Sequence, residues 1–489
     1  MTDKKKPQFN SDLTNKAAEL IYRQGGFDAS MLNTDEAAGV TGETFLQLDT
    51  AIQTALPHDV PDTLKYALEN NAFIFSGLKT FHTLREVGLS MLNDDGSIKP
   101  FQKFLEDVKN IDATYNRNYL YAEYNQALAA SQMAAKWNDF EQDGDRYNLQ
   151  YRTAGDGRVR EEHAALHGIT LPPSDPFWEH YLPPNGWNCR CTAVQVRKNK
   201  YPTSDSNDAI ERGKACTDGP KRAMFRFNPG KSLKLFPDKH PYYKAPAKAK
   251  KVIAKMAEEE AKKRRIADLR AQLPGNLTDA EKDAKAANNY EIEKALKITC
   301  GKPMTVEQAD KQSANPKYGS SGEYSINCQT CAPAYALRLM GFDVTAKGKT
   351  PGSLSDYLSK HHSFEAWLNA DGSEAVPTTY YDWKKGKKYA NFTEKRFREF
   401  FNECTKEEGV YIFTIGWKDG GGHASVLQRF GDGTLAWIEP QSFDASRGVK
   451  RSIDYLCERA SPTRCDWDRG ILRVDNKVFN PKFLSIFDK

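Results

Sequence analysis

Residues 327–344, NCQTCAPAYALRLMGFDV, govern how the second half of this 489-residue chain is read. Two cysteines stand three apart beside an asparagine, and an apolar run follows and stops at Gly341. A glycine just past an apolar periodic run closes a helix, and proline is tolerated in a helix's first turn. Pro333 therefore places both cysteines at or just before a helix N-terminus. A thiol there meets the positive end of the helix dipole and free backbone N–H groups, which favour the thiolate. The same N–H groups suit an oxyanion on an attacked carbonyl. Competing readings are two structural core cysteines, a disulfide that needs an oxidising compartment, and a zinc knuckle. For the knuckle, Cys457 and Cys465 supply a second pair at the wrong spacing.

A cysteine nucleophile needs a base. After residue 296 the chain holds three histidines, His361, His362 and His423. His361 and His362 lie in a polar helix-like stretch and read as surface residues. His423 opens a strand-like run directly after three glycines, which leave room for a close approach. The base in turn needs an orienting acceptor. Glu439 and Gln441 stand two apart in WIEPQ, on one face of a predicted strand. Three strand-like runs, VYIFTIGW, HASVLQRF and TLAWIEPQ, separated by short glycine turns, predict an antiparallel meander after the helical TEKRFREFFNEC. Cysteine on a helix, histidine on a strand and an acid or amide on the next is the papain-like order.

On these residues (NCQTCAPAYALRLMGFDVTA, GGHASV and WIEPQ) the region from about 296 to 489 resembles the papain-fold toxin family of bacterial polymorphic toxins. The resemblance implies a cysteine peptidase or a glutamine deamidase and favours deamidation. Its site would comprise Cys328, Cys331, His423, Glu439, Gln441 and Asn327. Where the family carries Asp, this chain carries Glu439, one methylene longer. The resemblance favours Cys328 as nucleophile and the proline argument favours Cys331, so both stay open.

The first half carries a second signature. VREEHAALHGITLPPSDPFWEHYLPPNGWNCRC, residues 159–191, resembles the phage Mu F-like head morphogenesis family. The resemblance rests on Arg160, His163, Gly168, Asp175, Trp178, Pro183, Pro184, Cys189, Arg190 and Cys191. His163 and His167 stand four apart, on one face of a helix. With Cys189 and Cys191 they form a candidate four-ligand site, zinc by ligand type, although Cys-x-Cys is tight for zinc. The alternative is a loop pinned by tryptophan packing and hydrogen bonds, with the same residues as structural members.

Length bounds the rest. A chain of this size is expected to hold two or three domains, and its composition is that of a soluble globular protein. A net charge of +5 names no partner. The polar start MTDKKKPQFNSD has no apolar core behind it and argues against a secretory signal. No run of about 18 apolar residues predicts a membrane span. Nine cysteines spread through the chain read as reduced thiols made in a cytosol. The fold class expected is multidomain: a helical region over 1–100, a small α+β head-morphogenesis domain over 101–235, a charged helical linker over 236–295, and a papain-like α+β domain over 296–489. The two resemblances together imply a phage minor head protein carrying a cysteine hydrolase effector. They place it inside the virion head near the portal, and in the bacterial cytoplasm. The implied partners are portal or capsid proteins, a protein substrate in a target cell and an immunity protein. Nucleic-acid contact through the basic linker stays open. The competing function is a purely structural head protein whose C-terminal domain only binds.

Overall fold

The computed structural model describes residues 7–143, 146–311, 313–385, 387, 393–442, 450–451, 453–460 and 469–488. The chain forms two units, Met1–Ala261 and Lys262–Lys489.

The first unit is mainly helical, with helices Ser11–Gln24, Asp35–Ala55, Asp62–Ser90, Phe101–Asp112 and Leu120–Gln142. Asn10 caps the first by accepting from the Asp12 N–H, and Gly25, at φ +78°, ends it. Helix Asp62–Ser90 is buried on most of its faces, so it takes in polar side chains with partners. Lys79 and Glu123 pair at 2.5 Å in the interior. The aromatic residues of helix Leu120–Gln142 divide between core and surface. Trp137 and Phe140 are core, whereas Tyr121 stays exposed.

After these helices a three-stranded antiparallel sheet sets Tyr147–Arg152 between Thr170–Leu171 and Thr192–Arg197. Thr170–Leu171 is the short edge strand of the three. Phe177, Trp178 and Tyr151 pack beneath the sheet with Leu149 and Ala193. The charged segment after residue 244 is a helix, Ala247–Ala271, but not the solvated connector its composition suggests. Ala249, Ile253 and Ala257 are buried in the first unit's core. Gly77 accommodates Ile253, because a Cβ there would stand 2.8 Å from its Cγ2.

In the second unit a six-stranded sheet runs in the order Lys450–Arg451, Leu435–Ile438, Gly422–Arg429, Gly409–Gly416, Gly470–Arg473, Thr378–Thr379. The expected meander forms its centre: Val426 faces Ile438 on one side and Ile412 on the other, all antiparallel. Strand Gly409–Gly416 is almost wholly buried because helices cover both faces. Alternation assigns the faces. Val410, Ile412, Ala424, Val426 and Ile438 join a core with helix Cys328–Leu339. Tyr411, Phe413, Ile415, Leu427 and Trp437 join Phe397, Phe400 and Phe401 of helix Glu394–Cys404.

Candidate active site

Helix Cys328–Leu339 begins at the first cysteine, with Asn327 as its N-cap residue. Pro333 therefore lies inside the helix, not in its first turn, and the argument that favoured Cys331 does not hold. A proline at that place forfeits the hydrogen bond its N–H would have made to the Gln329 carbonyl. Burial compensates, since every residue from Gln329 to Leu339 is buried. The motif's C-terminal half is structural. Arg338, 1 % exposed, donates to the Ala309 carbonyl at 3.1 Å, to the Val344 carbonyl at 3.3 Å and to Asp343. Gly341 adopts φ +104°, and a Cβ there would stand 2.3 Å from the Gly301 carbonyl oxygen. The helix thus ends in a tight turn that only glycine fits, and Phe342 and Val344 drop into the core.

The helix start meets the beginning of strand Gly422–Arg429. The Cys328 thiol lies within electrostatic reach of the His423 ring and of the Ala424 backbone N–H. His423 Nε2 lies 2.6 Å from Glu439 Oε2. Glu439 Oε1 accepts the Gln441 N–H at 2.9 Å, which fixes the carboxylate. Trp417 stacks on the His423 ring at 5.8 Å between centroids, 27° from parallel. Cys328, His423 and Glu439 thus stand together at the helix start, with the His423–Glu439 hydrogen bond as the fixed contact.

Burial alone would keep these three neutral, but their partners reverse that. Desolvation pulls the His423 pKa down, yet the Glu439 carboxylate and Cys328 outweigh it and raise the ring to about 10. Desolvation likewise opposes the Cys328 thiolate, but His423 and the Ala424 N–H bring the thiol below its ordinary value. Cys331 is the opposite case. It is fully buried, and desolvation together with Cys328 and Glu439 pushes its thiol well above the ordinary value. Cys331 packs in the apolar core. Both are free thiols. Of the pair once considered as their zinc partners, Cys457 is a buried free thiol and Cys465 lies outside the described residues.

The Asn327 carbonyl takes the N–H groups of both Thr330 and Cys331. Those of Cys328 and Gln329, in the first turn, have no protein partner among the described residues. Asn327 itself turns away from the sulfur. Its side chain exchanges hydrogen bonds with Asn315 and donates to the Lys347 carbonyl at 3.1 Å. Gln441 is also not where the sequence put it. The strand ends at Ile438, so Glu439 and Gln441 do not share a strand face. Gln441 contributes its N–H to Glu439 and its carbonyl to Asn315 at 2.9 Å.

Three further side chains near the helix start escaped the sequence reading. Gln329 Oε1 accepts the Ser363 N–H at 2.8 Å, and its amide lies 3.5 Å from His362 Nδ1. His362 is buried, not the surface residue expected, because the chain turns inward there at φ +72°. Arg469 Nη1 stands 3.2 Å from the same Nδ1. Gly422 leaves space for that guanidinium, since a Cβ would lie 3.2 Å from Arg469 Nη2. The glycines before His423 were the one visible hint of such an approach.

In the first unit the candidate metal residues are partly assembled. His163 Nδ1 lies 3.6 Å from both Cys189 Sγ and Cys191 Sγ. His167 is not with them: its Nδ1 accepts from Thr153 N at 3.2 Å. The helix expected to align the two histidines is one turn, Glu161–Ala164, so their four-residue spacing does not put them on one face.

Residues 96–194 match the family model described as Phage Mu protein F like protein. Within the chain, 42 residues are 55% identical to "Putative capsid assembly protein F" of Escherichia phage Mu, covering 9% of this chain and 10% of that protein. Another 39% identity extends over 69 residues of "Mu-like prophage FluMu F protein" of Haemophilus influenzae, covering 13% and 17%. The matched segments are thus a small part of either relative. No solved structure matches the chain. No helix among the described residues is long and apolar enough to cross a membrane.

Proposed function

We propose that this is a phage head-associated protein whose second unit is a cysteine hydrolase acting on amide carbonyls. The Mu F-like segment supports the head role, with portal or capsid proteins as partners. The single observation that carries the enzymatic reading is the grouping of Cys328, His423 and Glu439 at a helix N-terminus. A head protein that merely binds through this unit has no need of a buried carboxylate aligned on a histidine that lowers a neighbouring thiol's pKa.

The chemistry follows from the geometry. The Cys328 thiolate attacks the carbonyl carbon, and the N–H groups of Cys328 and Gln329 receive the oxyanion. His423, protonated and held by Glu439, gives its proton to the leaving nitrogen as the C–N bond breaks. Water, deprotonated by His423, then cleaves the thioester to the acid. A glutamine side chain would release ammonia and a peptide bond would release an amine. We favour deamidation, on the family resemblance. The test is expression of the full chain in a bacterial cytosol as wild type, Cys328→Ala, Cys331→Ala and His423→Ala, with growth and proteome masses followed. The reading predicts growth arrest and glutamine-to-glutamate conversion in the wild type and Cys331→Ala only. Arrest indifferent to Cys328→Ala and His423→Ala would refute it.

A further inference from the structure

The cluster of His163, Cys189 and Cys191 belongs to the Mu F-like segment and plays no part in the hydrolase chemistry. Among the described residues these three ligand atoms all lie within 4.8 Å of one another. Their spacing is more specific than proximity. Atoms bound to one tetrahedral zinc, sulfur at about 2.3 Å and nitrogen at about 2.0–2.1 Å, stand about 3.6 Å apart. Nδ1 of His163 is 3.6 Å from each sulfur. A thiol-to-imidazole hydrogen bond explains one such distance, but the ring's single N–H cannot point along both.

The surroundings agree. A cavity of about 30 Å³, enough for one ion or water, is lined by His163, Cys189 and Cys191 together with Arg158, Arg160 and Arg190, of which Arg158 and Arg190 are paired with Asp156. His163 is 4 % exposed, and each cysteine 9 %. A third buried thiol, Cys216, lies in the same core cluster as the two cysteines. We propose that His163 Nδ1, Cys189 Sγ and Cys191 Sγ bind a zinc ion that ties the Cys-Arg-Cys loop to the one-turn helix Glu161–Ala164. Binding releases the proton of each thiol to solvent. It also moves a ring proton. Arg160 Nη1 stands 3.0 Å from His163 Nε2, and a guanidinium only donates, so without metal the proton sits on Nδ1. With Nδ1 on the metal that proton would sit on Nε2, which could then no longer accept from Arg160.

The test is metal content of the full chain purified from a reducing cytosol, followed by cobalt(II) titration of the stripped protein. Wild type and Cys328→Ser should hold about one zinc per chain, and cobalt should give the thiolate charge-transfer and tetrahedral bands. Cys191→Ser and His163→Ala should bind at least about ten-fold more weakly. A wild type that carries no zinc and gives no such cobalt spectrum overturns the proposal, whatever the variants' folding. So do Cys191→Ser and His163→Ala proteins that retain wild-type zinc.

Discussion

At the residue scale, Glu439 does more than supply charge. One carboxylate oxygen is committed to the Gln441 N–H and the other to His423 Nε2. In Glu439→Gln the amide oxygen would keep the Gln441 N–H, leaving the NH₂ against the ring. Nε2 must then accept, and the proton moves to Nδ1. The cysteine loses its acceptor, as when a triad carboxylate becomes an amide. Hydrolase kcat/KM should fall by about 10²–10⁴-fold with little loss of fold; a change under ten-fold would show that the tautomer is not controlled from here. Cysteine, histidine and acid were readable because each sits in its own local signal: a helix start, a glycine-flanked strand entry and a strand exit. Gln329, His362 and Arg469 were not, because what brings them together is tertiary, across more than a hundred residues.

At the scale of the element, the helix Cys328–Leu339 is defined by its ends more than by propensity. Gly341 serves the tight turn against Gly301, so Gly341→Ala should destabilise the second unit by at least about 1–3 kcal/mol in urea unfolding. A cost below about 0.5 kcal/mol would mean that this turn is not under steric constraint. The neighbouring helix Asp279–Leu296 buries Lys285, whose ammonium donates to the Lys477 carbonyl at 2.8 Å. Burial lowers its pKa from 10.5 to about 8. A depressed lysine binds fewer protons folded than unfolded between those values, so its contribution to stability rises with pH there and is least below about 8. The urea midpoint of wild type should therefore gain on that of Lys285→Met between pH 8 and 10; parallel profiles would place the lysine's charge in water. Proline logic misled at this scale, because complete burial of the helix overrode a local preference. The alternation in VYIFTIGW, by contrast, survived intact as two faces under two helices.

At the scale of the molecule, length predicted a chain of two or three domains, and two units with separate cores are what the fold shows. The linker was misjudged for a physical reason. A helix rich in Lys and Glu still needs only a few alanines and one isoleucine at helical spacing to be drawn into a core. The enzymatic reading of the second unit rests on Cys328 being a thiol activated by His423 and Glu439. It is tested most directly by alkylating the full chain with iodoacetamide from pH 5 to 9 and reading each cysteine by peptide mass. Cys328 should label at least about ten-fold faster than Cys331 near pH 6, and His423→Ala should abolish that advantage and return its pH dependence to that of an ordinary thiol. If Cys328 labels no faster than the buried cysteines, or keeps its rate without His423, the thiol is structural and the hydrolase reading fails.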